Sequence, residues 1–155
     1  MNNSHVPLPG SVREPLTAAQ VLGPVAASTL IEVTLVVRRR AELPAQSAAG
    51  VLQGAEFAAR FGADPADITL VTDAVTGAGV QVIQSDPASR RVRISGTAGT
   101  LQALFGTVLQ RVRVTDPDGQ SIEIRHRSGG LSVPAGLAGV VTAVLGLDDR
   151  PQTRA

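Results

Sequence analysis

The run LIEVTLVVR at Leu30–Arg38 places Ile31, Val33, Leu35 and Val37 on one face and Glu32, Thr34 and Val36 on the other. That two-residue period defines a strand with one buried side. A sheet built on it needs a covering layer on one face only. The cover must come from aliphatic side chains. Aromatic residues are 2% of the chain, with Phe57, Phe61 and Phe105 as the whole supply, against 43% apolar residues in total. At 155 residues the chain is the size of one ordinary domain with one core, able to remove about two-thirds of its unfolded surface from water. Cysteine is absent, which excludes disulfide scaffolds and thiolate metal sites.

Further elements follow from spacing and end signals. The stretch Met1–Ser28 is punctuated by Pro7, Pro9, Gly10, Pro15, Gly23 and Pro24 and reads as an extended arm. A short helix is expected over GAEFAARFG, where Phe57 and Phe61 lie one turn apart before Gly62. Asp64 and Pro65 form an N-cap and first position for a second helix carrying Ile68, Val71 and Val75 as far as Gly77. Val80 and Val82, then Val92 and Ile94, form a hairpin around Asp86 and Pro87. Thr97 opens a helix through Leu101, Leu104 and Phe105 that closes at Gly106. Val108–Val114 and Ile122–Arg127 make a second hairpin across Asp116–Gly119. Pro134 is expected to start a last helix with Leu137, Val140, Val141 and Val144, stopped by Gly146.

The implied fold is α+β: a ferredoxin-like antiparallel sheet with helices on one face, an extra hairpin strand and a C-terminal helix. The organisation expected is an arm over residues 1–28, a core domain over 29–146 and a C-terminal linker over 147–155.

Landmarks in this order resemble the propeptide, or activation domain, of the kumamolisin and sedolisin family of serine-carboxyl peptidases. They are VPLPGS at Val6–Ser11, IEVTLVVRRR at Ile31–Arg40, FAARFGADPADI at Phe57–Ile68, RRVRISGT at Arg90–Thr97, LFGTVLQ at Leu104–Gln110, and LSVPAGLAGVVTAVLGLDDRPQTR at Leu131–Arg154. The resemblance implies a non-catalytic pro-domain that binds, inhibits and assists folding of a cognate catalytic domain and is released in acid. It also implies an extracellular setting, and a linker of Asp148, Asp149, Arg150, Pro151, Gln152, Thr153 and Arg154 that leads toward the catalytic cleft. The family's catalytic Ser, Glu and Asp belong to the catalytic domain, so no catalytic residue carries over to this chain.

Arginine alone supplies the 14 basic residues, and guanidinium stays charged across the usable pH range. Arg91 and Arg93, Arg111 and Arg113, and Arg125 and Arg127 alternate along their strands opposite the apolar positions. They would share the sheet face not covered by helices, either as a solvated face that Glu32 and Glu123 balance or, as the resemblance implies, with those two acids as the candidate partner-binding residues that dock an acidic catalytic domain. Stacking of nucleic-acid bases would need aromatic side chains that these strands lack, so no nucleic-acid partner is expected. No apolar run is long enough to span a bilayer, no cofactor is expected, and the isolated chain should be a monomer. His5 and His126 are the only histidines; they are too few for a metal site with nearby carboxylates and are expected on the surface. Adjacent Asp148 and Asp149 should point apart. Two other readings stay open on the same residues: a freestanding trans-acting peptidase inhibitor or chaperone, and a ferredoxin-like regulatory domain with a small-molecule pocket at a sheet edge.

Overall fold

The computed structural model describes residues 5–13, 19–40, 62–115 and 118–149. The helix expected around Phe57 and Phe61 lies outside them. The described elements, in order, are β1 (His5–Pro7), β2 (Gln20–Pro24), β3 (Leu30–Val37), α1 (Pro65–Gly77), β4 (Gln81–Asp86), β5 (Arg91–Thr97), α2 (Ala98–Phe105), β6 (Gln110–Thr115), β7 (Ser121–His126), β8 (Ser132–Pro134), a 3-10 turn (Ala135–Leu137) and β9 (Val141–Leu145).

Four strands pair antiparallel in the order β4-β5-β3-β9. This is the order that a split β-α-β pair produces when two crossovers interleave their strands. β3 sits inside the sheet because its apolar face is the richest: Ile31, Val33, Leu35 and Val37 are all buried. Val92 and Ile94 of β5 continue that face. The helices cover it with Ile68, Val71 and Val75 from α1 and Leu101, Leu104 and Phe105 from α2. The mixed α+β fold therefore holds, with the second sheet face left without a helical cover among the described residues.

Local chemistry fixes the helix ends. Asp64 accepts from the Ala66 N–H at 2.9 Å, with Pro65 at the first helical position, which satisfies one orphan donor where proline lacks one. Thr97 caps α2 by accepting from Thr100 N–H, and Gly106 ends it at φ +61°, a conformation that glycine adopts without the Cβ penalty.

Two expectations are corrected. The segment after Pro134 forms no C-terminal helix: it makes one 3-10 turn and then β9, the fourth strand of the main sheet. Gly139 at φ +78° breaks the path between them. The second hairpin, in turn, adds no strand to the main sheet. β6 and β7 join β2 of the N-terminal region in a separate sheet, in order β2-β6-β7, while β1 pairs with β8. β6, β7 and β8 are inserted between α2 and β9 of the split β-α-β pattern, and they pair with β2 and β1, which precede β3.

Candidate docking face and chain exit

The uncovered face of the main sheet carries Leu30, Glu32, Thr34 and Val36 from β3, Arg91, Arg93 and Ser95 from β5, Gln81, Gln84 and Asp86 from β4, and Ala143 and Leu145 from β9. The cross-strand register makes rows of them. Gln84, Arg93, Thr34 and Leu145 form one row, and Asp86, Arg91, Val36 and Ala143 the next. Leu30 is 73% exposed and Leu145 41%. Large aliphatic side chains left in water on an open sheet face, here at the start of β3 and the end of the edge strand β9, represent unspent burial. Around them Arg93 reaches Glu32 with Nε 3.1 Å from Oε1 and Gln84 with Nη1 at 3.3 Å from its side-chain oxygen. The face is thus a mosaic of apolar side chains and charged groups.

The six strand arginines do not share this face. Arg91 and Arg93 lie on it, whereas Arg111, Arg113 and Arg125 belong to the β2-β6-β7 sheet. There Arg111 faces Arg125 in register and Arg113 faces Glu123. Arg111 lies 3.6 Å from Glu123. The separation arises because the hairpin bonds to β2 instead of to the main sheet.

Arg127 is not a surface residue at all. It is 4% exposed, and its Nη1 donates to Ser11 O at 2.9 Å and Gly129 O at 3.2 Å, binding the N-terminal segment to the loop after β7. His126 is likewise buried, against the surface position expected for it. His5 is exposed, with Nε2 3.1 Å from Leu104 O.

Beyond β9 the chain is pinned. The Arg125 backbone N–H donates to the Asp149 carboxylate, the Asp149 N–H donates to Arg125 O at 2.9 Å, and Arg125 Nη1 lies 3.8 Å from Asp149 Oδ2. The Arg125 guanidinium also donates to Leu147 O at 2.5 Å and Gly146 O at 2.9 Å. Asp148 turns its carboxylate the other way, 3.9 Å from Arg13 Nε, with the side chain 9% exposed. The neighbouring carboxylates do point apart, each toward a different arginine. Arg125 thus combines four roles that spacing alone could not reveal, since its partners lie more than twenty positions away along the chain. Arg150, Pro151, Gln152, Thr153 and Arg154 lie outside the described residues.

A groove of 370 Å³ beside this exit is walled by Pro24, Thr29, Arg111, Glu123, Arg125 and Asp149. Its arginines already face Glu123 and Asp149, so a small ligand would have to compete with those pairs. Among the described residues no group of three or more His, Asp or Glu side chains could hold a metal ion, and no helix is long and apolar enough to cross a membrane.

The sequence reading also missed Arg38. Its Nε and Nη2 bind Asp67 Oδ2 and Oδ1 at 2.8 and 3.1 Å, a two-point bond joining the end of β3 to the first turn of α1. The hydrogen bond to Asp67 and then its charge raise the Arg38 pKa above its ordinary value. The run Arg38–Arg40 signals a cation cluster, but only the fold selects the residue that pairs.

The described residues thus present a sheet domain with an open mosaic face and an anchored segment after β9. Residues 17–150 match the pro-kumamolisin activation domain. The chain belongs to that family, which is the propeptide region of peptidase precursors and not their catalytic domain. It is also similar to kumamolisin of Bacillus sp. (strain MN-32), at 30% identity over 158 aligned positions that cover 95% of this chain and 28% of kumamolisin. The chain therefore spans a little over a quarter of that relative.

Proposed function

We propose that this chain is the pro-domain of a sedolisin-type serine-carboxyl endopeptidase, which it binds, inhibits and helps to fold outside the cell, and from which acid releases it. The observation that carries the proposal is the uncovered sheet face, with Leu30 and Leu145 exposed beside Arg91, Arg93 and Glu32. Covering the leucines would remove apolar surface from water, and the charges would fix orientation. In this reading residues 29–146 form the docking core, residues 1–28 an arm and residues 147–155 the linker. The clamp of Asp148 and Asp149 sets the point from which that linker leaves.

Assistance in folding follows from binding. A pro-domain that binds the native peptidase and not its unfolded chain stabilises the native form by mass action. Acid release follows from the arginines. Partner carboxylates that gain a guanidinium have depressed pKa values in the complex. Their contribution is present above the free pKa near ~4 and is lost as pH falls through the bound value. The test is inhibition of a mature kumamolisin-type peptidase by this chain, at weakly acidic pH and at the enzyme's acid optimum. Tight inhibition that fades toward the optimum supports the proposal; equal affinity at both values rejects acid release, and no inhibition at either rejects the proposal.

A further inference from the structure

The pairing of β3 with β5 brings two arginine runs of the sequence to one corner of the main sheet. Arg91 faces Val36 in register, and the Val37 N–H donates to Arg90 O at 2.8 Å. Arg38–Arg40 continues directly from Val37, so Arg39 enters the same corner. Arg90 is held rigidly there. It is the one non-glycine among the described residues with positive φ, at +61°, and its Nη1 donates to Val37 O at 3.1 Å. A left-handed backbone at a side-chain-bearing residue is strain that the surroundings must hold in place.

Among the described residues, the acids beside this corner, Asp67 and Asp86, are engaged elsewhere. Asp67 is bonded to Arg38. Asp86 faces Arg91 in register but accepts from Ala88 N–H at 3.1 Å and from the Ser89 hydroxyl at 2.8 Å, closing its own turn. Arg93, Arg111 and Arg125 each lie near a carboxylate, whereas Arg39, Arg90 and Arg91 have none within 4.0 Å among the described residues. Burial, followed by the charges of Arg39 and Arg91, lowers the Arg90 pKa from its ordinary value. Like charges crowded around a strained residue disfavour the free fold.

From this corner we infer that Arg39, Arg90 and Arg91 form a seat for carboxylates on the surface of the peptidase domain, an inference that rests on the docking proposed above. A protein surface fits better than a free anion because the cations are continuous with the apolar face. Arg91 shares its cross-strand row with Val36 and Ala143, and the next row ends on the exposed Leu145. An occupant that pairs with the guanidiniums while lying over those side chains must present acids beside apolar groups.

The experiment compares the unaltered chain with R39Q/R91Q as inhibitors of a mature kumamolisin-type peptidase near neutrality, at about 0.05 M and about 1 M NaCl. The double variant should inhibit about 10- to 100-fold more weakly at low salt. The gap should shrink to about 3-fold or less at high salt, where the screening length falls to about 3 Å. Thermal melting of the free variant should be unchanged or higher, because repulsion at Arg90 is relieved; a purely structural role for these arginines predicts a lower melting temperature. If the unaltered chain inhibits and R39Q/R91Q inhibits equally at low salt, the seat is refuted while docking stands. If the unaltered chain does not inhibit, both are refuted.

Discussion

Truncating the two exposed leucines of the open sheet face should weaken partner binding while the free chain stays folded. Leu30 is 73% exposed and Leu145 41%, so together they offer slightly more than one leucine's worth of uncovered surface. Full burial of a leucine side chain contributes about 1.5–3 kcal/mol. If docking covers both, L30A/L145A should lose about 2–3 kcal/mol of binding, or about 30- to 150-fold in the inhibition constant. The free chain leaves Leu30 largely in water but already covers more than half of Leu145, so its stability should fall by only about 1–2 kcal/mol, most of it from Leu145. The assay is titration of a mature kumamolisin-type peptidase with each chain near neutrality, paired with urea melts of the free chains. An unchanged inhibition constant, with the unaltered chain active, would refute docking through this face. A large loss of stability would show instead that the leucines serve the fold.

Two further outcomes test the fold and its electrostatics. Gly106 is at φ +61°, and a Cβ there would run into the Ser132 hydroxyl, so G106A should cost about 1–3 kcal/mol in urea melts, and adding S132A should recover the steric part. Asp67 raises the Arg38 pKa above its ordinary value, so the arginine's contribution is fully present below that ordinary value and is lost only as pH rises through the folded value. R38Q should therefore be less stable than the unaltered chain by the same margin at about pH 7 and about pH 10.

The sequence was most legible where one local signal decided the outcome. Alternation at Ile31, Val33, Leu35 and Val37 defined β3, and Asp64 with Pro65 defined the start of α1. The misread segment had a misleading period. Leu137, Val140, Val141 and Val144 recur at helical spacing, yet Val141 and Val144 face inward together from a strand because the pairing shifts there. Val37 pairs with Val141 and Val36 with Ala143, which leaves Thr142 as the extra residue of a bulge. A bulge inserts one residue and so turns a spacing of two into three. The β-branched content and Gly139 were the signals against a helix.

The docking face was legible in part for a similar reason. Alternation told which arginines oppose the apolar side of each strand but not which strands share a sheet. Arg111, Arg113 and Arg125 were thus grouped with Arg91 and Arg93, although β2 draws the second hairpin into its own sheet. Arg127 continued the alternation on paper, but it lies past the end of β7 and turns inward to Ser11. The anchoring of Asp149 by Arg125 and the crowding at Arg90 depend on pairings between distant segments, which no local period encodes.

The most direct measurement of the central claim is calorimetric titration of this chain into a catalytically inactivated kumamolisin-type peptidase, so that the chain survives the experiment. The account predicts a one-to-one complex near neutrality, with the negative heat-capacity change of apolar burial, that weakens steeply in acid. Absence of a complex near neutrality, with both proteins folded, would contradict it.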